Sequence, residues 1–314
     1  MAVCWLLCLA IFSYPLSAER VAHKRILHGA DSFLTRGHGA REFAQETSNG
    51  TRTEAKVGLP KCSDGILQLD GVYEVKKEVL VEGPSCRVTG SAELLLWAPL
   101  RFQGNLVFAG QLNVKAAGDG GRVNASCITI EGNFTSHPEA RLSIQGCKNE
   151  ADGGDARHGG CLHIGGNAEL LGAQLLLREC SARKAWGGGM YVAGRLQSRN
   201  ATIDAEGCDA KHGGAFYAEM DMHVSGGSVT IRESTAHAYG GAIHARQMDV
   251  SGGSVNITES RASQGGAIHA PRAIHVSGGK VTITKSHASF QGGAVYARNM
   301  DVSGGNVTIR ESTA

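Results

Sequence analysis

Apolar and polar residues alternate in short runs along the last hundred residues of the chain. In the segment 242–245, Ile243 falls on one face of an extended backbone and His244 on the other. The segments 248–250 and 255–257 show the same alternation, with an apolar residue at each end and a polar residue between them. This pattern predicts three short strands, each with one apolar face.

The alternation recurs with a period of 26 residues. Val-Ser-Gly-Gly begins at residues 224, 250, 276 and 302, and a Val-x-Ile triplet follows each copy. A second marker, Gly-Gly-Ala followed by a large apolar residue, recurs at steps of 27, 25 and 27. Because glycine adopts backbone conformations that side chains exclude, these pairs are the candidate structural corners of the repeat. They are Gly213, Gly214, Gly240, Gly241, Gly265, Gly266, Gly292 and Gly293.

Fainter copies extend the repeat toward the N-terminus. Gly-Gly pairs at 188–189 and 159–160 occupy the same slot, and residues 66–116 alternate like strands without the glycine markers. The chain ends at Ala314, halfway through a copy, so we expect a truncated C-terminus. The predicted division is a signal peptide (1–18), a flexible linker or propeptide (19–58) and a repeat domain (59–314), degenerate over 59–158 and regular over 159–314.

One copy of the repeat cannot bury its apolar stripes alone. Stacked on the next copy, its backbone pairs in parallel and its apolar face continues a common core. The sequence therefore predicts an all-β fold, a single-stranded parallel β-helix of about 26 residues and three short strands per coil. We expect it to be right-handed, as parallel crossovers are. Ile243 should then lie over Phe216, Ile268 and Val295. The alternative, an α-solenoid, is disfavoured by the glycine pairs and β-branched triplets.

The Gly-Gly-Ala-Ile motif at residues 240–243 and its relatives resemble the polymorphic membrane protein repeats of chlamydial surface proteins. Those repeats alternate Gly-Gly-Ala-(Ile/Leu/Val) with Phe-x-x-Asn, and the resemblance covers about residues 159–314. Where Phe-x-x-Asn belongs, this chain has Ile-x-x-Ser, as at Ile257 and Ser260. The resemblance implies a β-helical domain displayed on a cell surface, often adhesive.

Composition indicates export and excludes some partners. The net charge is +2 with both signs scattered, so nothing favours nucleic acid or an acidic membrane face. The apolar stretch Val3 to Ser13, followed by Ala18, is typical of a cleaved signal peptide, and no later segment is a candidate transmembrane helix. Six Asn-x-Ser/Thr triplets are candidate glycosylation sites: Asn49, Asn124, Asn133, Asn200, Asn256 and Asn306.

Removal of the signal leaves seven cysteines, an odd number, so at least one is free or pairs outside the chain. Cys147, Cys180 and Cys208 fall in one column of the repeat, and adjacent members such as Cys180 and Cys208 are candidates for a disulfide between coils. Cys62 and Cys86, 24 residues apart, are a second candidate pair. Buried free thiols are the alternative for both.

Two outward columns carry ionisable or aromatic side chains. Tyr191, Tyr217, His244, His269 and Tyr296 form one, and His223, Asp249, His275 and Asp301 form the other. The rings are candidates for sugar binding and the His/Asp column for a metal, but a stabilising surface ladder is the favoured interpretation of both.

A separate polar segment, residues 152–160, breaks the repeat. Asp152, Asp155 and His158 are weak candidates for a metal site there, and an elongated glycine-rich loop is the favoured interpretation. We expect no cofactor.

Because the side-chain chemistry repeats and does not converge once, we expect a non-enzymatic secreted or cell-surface protein, adhesin-like or structural, that contacts other proteins or glycans. The alternative is a polysaccharide lyase or hydrolase of the pectin-lyase-like fold, with its site confined to residues 119–160.

Overall fold

The computed structural model describes residues 54–118, 122–123, 125–150 and 158–314. The predicted signal peptide and most of the predicted linker lie outside these residues. The linker prediction extends too far, because residues 56–57 already form a strand that pairs with Tyr73 and Glu74. The described residues contain no helix of the length and apolarity that a membrane crossing requires.

The described residues are all-β, and every pairing between their strands is parallel. The first strands are β1 Lys56–Val57, β2 Ile66–Val75, β3 Val79–Val81, β4 Ser85–Leu96, β5 Leu100–Phe102, β6 Asn105–Phe108, β7 Gln111–Ala116, β8 Arg122–Val123, β9 Ile128–Ile130, β10 Phe134–Ser136, β11 Arg141–Gln145 and β12 Lys148–Asn149. The next are β13 Leu162–Ile164, β14 Ala168–Leu171, β15 Gln174–Arg178, β16 Ser181–Trp186, β17 Met190–Val192, β18 Leu196–Arg199, β19 Thr202–Glu206 and β20 Asp209–His212. The last are β21 Phe216–Arg232, β22 Thr235–Tyr239, β23 Ile243–Thr258, β24 Arg261–Gln264, β25 Ile268–Val276, β26 Lys280–Thr284, β27 His287–Gln291, β28 Val295–Val302 and β29 Asn306–Arg310.

Each strand pairs with the equivalent strand of the next repeat, a repeat being the segment from one glycine pair to the next. Phe216 pairs with Ile243, Ile243 with Ile268, and Ile268 with Val295, as the sequence predicts. In the irregular first half, β2 pairs with β4 over ten residues, from Ile66 with Arg87 to Val75 with Leu96. Parallel pairing at a step of one repeat therefore runs through the whole described domain.

Most inward residues of these strands form one large hydrophobic core from Leu67 to Ala294, and Ala182, Ala185 and Ala210 form a separate small cluster. Ile243, Val255 and Ile257 are fully buried, and the polar residues between them face outward. The register places like residues over one another, so each buried aliphatic side chain extends a file along the core. Burying such a side chain contributes roughly 1.5–3 kcal/mol.

The expectation of three short strands per repeat is wrong in two respects. In β21 and β23 the three predicted segments run together, because the corners between them are register shifts inside a paired strand. A further strand is present in most repeats, and these strands form a separate seven-stranded sheet: β8, β12, β16, β20, β22, β24 and β27. The inward residues of β16, β20, β22, β24 and β27 include alanines such as Ala210 and Ala236, which give no apolar alternation in the sequence.

The repeat glycines form a corner at which neighbouring repeats approach each other closely. The first glycine of each pair has a left-handed backbone conformation, as at Gly240 with φ +65°. A Cβ on the second, Gly241, would overlap the carbonyl oxygen of Gly266. Gly213, Gly265 and Gly292 repeat the first situation, and Gly214 and Gly266 the second.

Candidate functional site

Two neighbouring columns of rings run along one side of the regular repeats, and we call them together the ring stack. The first column lies one residue into the strand after each glycine pair, and the second lies immediately before the pair. The first contains His163, Tyr191, Tyr217, His244, His269 and Tyr296, and the second contains His158, Trp186, His212 and Tyr239. The sequence predicted the first column from Tyr191 onward but missed the second, although each of its members precedes a Gly-Gly pair.

The rings lie face to face. Tyr217 stacks on His244 with centroids 4.6 Å apart and planes 3° from parallel, and His269 stacks on Tyr296 at 4.8 Å and 5°. The columns also touch each other, since the Trp186 and Tyr217 centroids are 4.9 Å apart. Each such pair contributes about 0.5–1.5 kcal/mol beyond the area it buries. Because neighbouring rings cover the faces, the inner members offer a ligand only their edges.

Burial in the ring stack lowers the pKa of four of its histidines, His158, His212, His244 and His269. Burial lowers the pKa of His244 to about 3 and that of His212 and His269 to about 4, and repulsion between the imidazoles adds to the effect at His244, as repulsion from Lys211 does at His212. The Tyr191 hydroxyl donates a 2.6 Å hydrogen bond to Glu219, and burial together with this bond raises the Tyr191 pKa. His212, His244 and His269 are thus uncharged at neutral pH.

The candidate metal residues do not assemble in the part of the chain that is described. His158 stacks on Trp186 at 4.1 Å and belongs to the ring stack, while Asp152 and Asp155 lie outside the described residues. The His223, Asp249, His275 and Asp301 column is in register as predicted, and His275 Nδ1 lies 3.9 Å from Asp301 Oδ2. Within the described residues, no three His, Cys, Asp or Glu side chains group as metal ligands would.

Two disulfides join positions of the same repeat, whereas Cys62–Cys86 joins neighbouring repeats, because Arg87 beside Cys86 pairs with Ile66 of the repeat that contains Cys62. Cys62–Cys86 is a disulfide, as predicted, and the other two bonds are Cys127–Cys147 and Cys161–Cys180. The prediction that Cys180 pairs with Cys208 is wrong, because Cys161 lies opposite Cys180 in the same repeat, with Cα atoms 5.4 Å apart. Cys208 is a buried free thiol. Three disulfides are compatible with an extracellular location.

The candidate glycosylation asparagines have different surroundings. Asn133, Asn200 and Asn306 are exposed, whereas Asn256 is half-buried between Thr230 and Thr282. Asn133 also has a structural contact, since its Oδ1 accepts a 2.8 Å hydrogen bond from the Asn167 backbone N–H. Asn49 and Asn124 lie outside the described residues.

A charged cleft of about 690 Å³ lies over β12, β16 and β20. Lys148, Glu179, Arg183 and Asp209 line it. Arg183 Nε donates to Asp209 Oδ2 at 2.5 Å, which raises the arginine pKa, and His237 Nε2 lies 3.3 Å from the other carboxylate oxygen. Arg183 therefore pairs with one oxygen of Asp209, while the other oxygen, Oδ1, is buried and accepts no hydrogen bond from any described residue.

A second depression flanks the outward column Gln111, Arg141 and Gln174, which we call the Gln–Arg ridge. A groove of about 910 Å³ lies on one side of the ridge, between it and the loop 137–139. A smaller groove of about 320 Å³ lies on the other side, along the sheet face. The ridge is in register across β7, β11 and β15.

The chain was compared with models of known protein families, with curated proteins and with solved structures, and none of them matches it.

Proposed function

We propose that this chain is a secreted or cell-surface protein whose repeats wind as a right-handed parallel β-helix. In this proposal it is a non-enzymatic scaffold, adhesin-like or structural, that contacts glycans or proteins along its side. Parallel pairing at a step of one repeat and the stacked aliphatic files support the winding. The three disulfides and the apolar segment at residues 3–13 support export.

The proposal rests on the outward side chains, whose residue types recur from one repeat to the next. Neighbouring repeats place rings on rings, as with Tyr217 and His244, and oppositely charged groups on each other, as with Arg232 and Asp204 at 3.3 Å. These groups satisfy one another and produce a rigid, extended surface. A catalytic site instead requires unlike groups that converge on one reacting atom.

The second candidate function is a polysaccharide lyase or hydrolase, and the charged cleft is the observation that favours it. Lys148 and Glu150 in this cleft fall within the segment 119–160 to which the sequence confined such a site. The ion pair between Asp209 and Arg183 argues against this function, because it occupies one oxygen of that carboxylate.

The two functions separate in one experiment. The secreted protein is incubated with pectin, alginate and related polymers, and chain cleavage is measured beside retention on the same polymers and on immobilised cell-surface proteins. We expect retention without cleavage. Cleavage that disappears in Asp209→Asn, or in Asp152→Ala with Asp155→Ala, but persists in the surface control Asp249→Asn would establish the enzyme instead.

A further inference from the structure

We propose that the larger groove beside the Gln–Arg ridge binds a linear glycan that carries carboxylates. This inference rests on the proposed function and names the ligand class and the site. In it, Arg141 pairs with a sugar carboxylate, and Gln111 and Gln174 hydrogen-bond the hydroxyls of flanking sugar units.

The floor of the groove is backbone. Ala109, Gly110 and Gly90 lie there, and a Cβ at Gly110 would stand 2.6 Å from the Gly90 carbonyl oxygen. A Cβ at Gly90 would overlap the carbonyl oxygen of Leu69. Close stacking of the repeats therefore requires glycine at both positions, and the absence of side chains leaves the depression open.

The wall opposite the ridge is fixed in place. The His137 N–H donates to the Phe108 carbonyl at 2.6 Å, and the Glu139 N–H donates to the Gly172 carbonyl at 3.3 Å. The loop is thus bonded to the repeat before it and to the repeat after it. A ligand would enter a groove that already has its shape, which lowers the entropic cost of binding.

The chemistry of the ridge matches an acidic sugar. Arg141 is exposed and makes no ion pair with any described residue, although other arginines of the described outer surface, such as Arg178 and Arg232, have acidic partners. Its guanidinium presents paired donors that fit a carboxylate. Gln111 and Gln174 each present donors and an acceptor, as hydroxyl groups require. Because parallel strands are about 4.8 Å apart, these three groups can contact successive parts of one extended chain.

Other ligands fit the groove less well. Arg141 is the one cationic side chain of the ridge, too little for a phosphate backbone, whose binding depends on many such contacts. Apart from His137, the residues that line the larger groove include no aromatic ring on which a base could stack. An acidic peptide remains the rival, and the experiment includes it.

The test measures binding of an oligosaccharide of alternating glucuronic acid and N-acetylglucosamine by calorimetry. The same oligosaccharide with its carboxylates reduced to alcohols is the matched ligand, and a short polyglutamate peptide is the rival. Arg141→Gln removes the charge and retains an amide, and Arg272→Gln is the control because Arg272 is also exposed and lies in a distant repeat. Unchanged thermal unfolding verifies that each variant is folded.

We expect Arg141→Gln to weaken binding of the carboxylated oligosaccharide about tenfold or more, as the loss of a charged hydrogen bond does, and to leave the reduced oligosaccharide unaffected. Gln111→Ala and Gln174→Ala should weaken both ligands, and Arg272→Gln neither. Equal binding by wild type and Arg141→Gln, no binding of the oligosaccharide, or tighter binding of polyglutamate would each overturn the proposal. Retention on other surfaces without cleavage would leave the scaffold function standing in all three cases.

Discussion

Replacing Gly189 with cysteine should create a disulfide with Cys208, in addition to the three of the described residues. Gly189 holds the position that Cys161 occupies one repeat earlier, since Met190 pairs with Leu162, and Cys208 holds the position of Cys180, since Asp209 pairs with Ser181. A Cβ built on Gly189 lies 3.4 Å from the Cys208 Sγ. The new pair would be 208 − 189 = 19 residues apart, the separation of Cys161 and Cys180.

The expected gain follows from loop closure and from the space available. Closing a loop of this length restricts the unfolded chain by about 3 kcal/mol. The same Cβ would stand 2.8 Å from the Ala215 carbonyl oxygen and 3.1 Å from Leu177 Cδ1, so part of this gain is lost to local adjustment. Gly189→Ser introduces the same Cβ without the bond. The oxidised Gly189→Cys protein should therefore exceed Gly189→Ser by about 3 kcal/mol in free energy of unfolding, and exceed wild type by less.

The assay combines urea unfolding with tryptic mapping under non-reducing conditions. Cleavage after Arg195 and Arg199 leaves the two cysteines on peptides 185–195 and 200–211, which stay linked only if the bond forms. Burial raises the pKa of the Cys208 thiol to about 12, so oxidation has to occur during folding and not afterwards. Unlinked peptides from protein that folded under oxidising conditions would refute the register on which the reasoning depends.

Three further outcomes are expected. The free energy of unfolding should fall by on the order of a few kcal/mol as the pH drops from about 6.5 to about 4. The cause is that burial lowers the pKa of the ring-stack histidines in the folded state, so the unfolded chain takes up more protons. Urea titrations at several pH values should show that the free energy of unfolding depends less on pH in His244→Gln than in wild type, and equally in the exposed His287→Gln. Gly207→Ala should cost about 1–2 kcal/mol in urea unfolding, since Gly207 has φ +63° and a Cβ there meets nothing closer than 3.9 Å, and a cost near zero would contradict a purely conformational cause. Ile243→Ala should cost about 2–5 kcal/mol by the same measurement, because the side chain is fully buried between its neighbours in the file, and a loss below 1 kcal/mol would contradict that packing.

The sequence predicted those parts of the fold in which the inward residues are large. Ile243, Ile268 and Val295 alternate with polar residues at a fixed step, so both the strand and its partner can be read from the pattern. The seven-stranded sheet is not predictable in this way, because Ala236 and its equivalents occupy its inward positions. Alanine is common on either side of a strand, and its burial here reflects the closeness of neighbouring backbones.

The disulfide partners and the second ring column depend on geometry across one repeat. Cys161 and Cys180 stand at two corners of the same repeat that face each other, whereas the sequence column places Cys180 nearest to Cys208. Trp186, His212 and Tyr239 differ in residue type, and they follow Cys180, Cys208 and Ser234 by six, four and five residues, so only their place before a Gly-Gly pair marks the column. The sequence does not mark the Gln–Arg ridge as a column, because Gln111 and Arg141 belong to the degenerate repeats without glycine pairs and only Gln174 lies in the regular region.

One corner of the repeat is occupied by cysteine in some repeats and by serine in others. Cys147, Cys180 and Cys208 occupy it first, followed by serines, of which Ser234, Ser260 and Ser286 are buried. The Cys208 Sγ lies 3.7 Å from the Glu206 carbonyl oxygen, and the Ser234 hydroxyl donates to the Arg232 carbonyl at 3.3 Å, so both groups point to the backbone two residues earlier. The residue opposite decides the outcome: a cysteine there gives a disulfide, and Gly189 or an alanine leaves a thiol or a hydroxyl.

It follows that Cys208 behaves as one of the serine positions and not as a member of a broken disulfide. Cys208→Ser should cost less than about 1 kcal/mol in urea unfolding, because the hydroxyl has the carbonyl partner that Ser234 uses. Cys180→Ser, which opens the bond to Cys161, should cost about 3 kcal/mol under oxidising conditions and little when both proteins are compared in reductant. If Cys208→Ser were as costly as Cys180→Ser, the thiol would have a packing role that its neighbours in the column do not share, and the equivalence of the corners would be wrong.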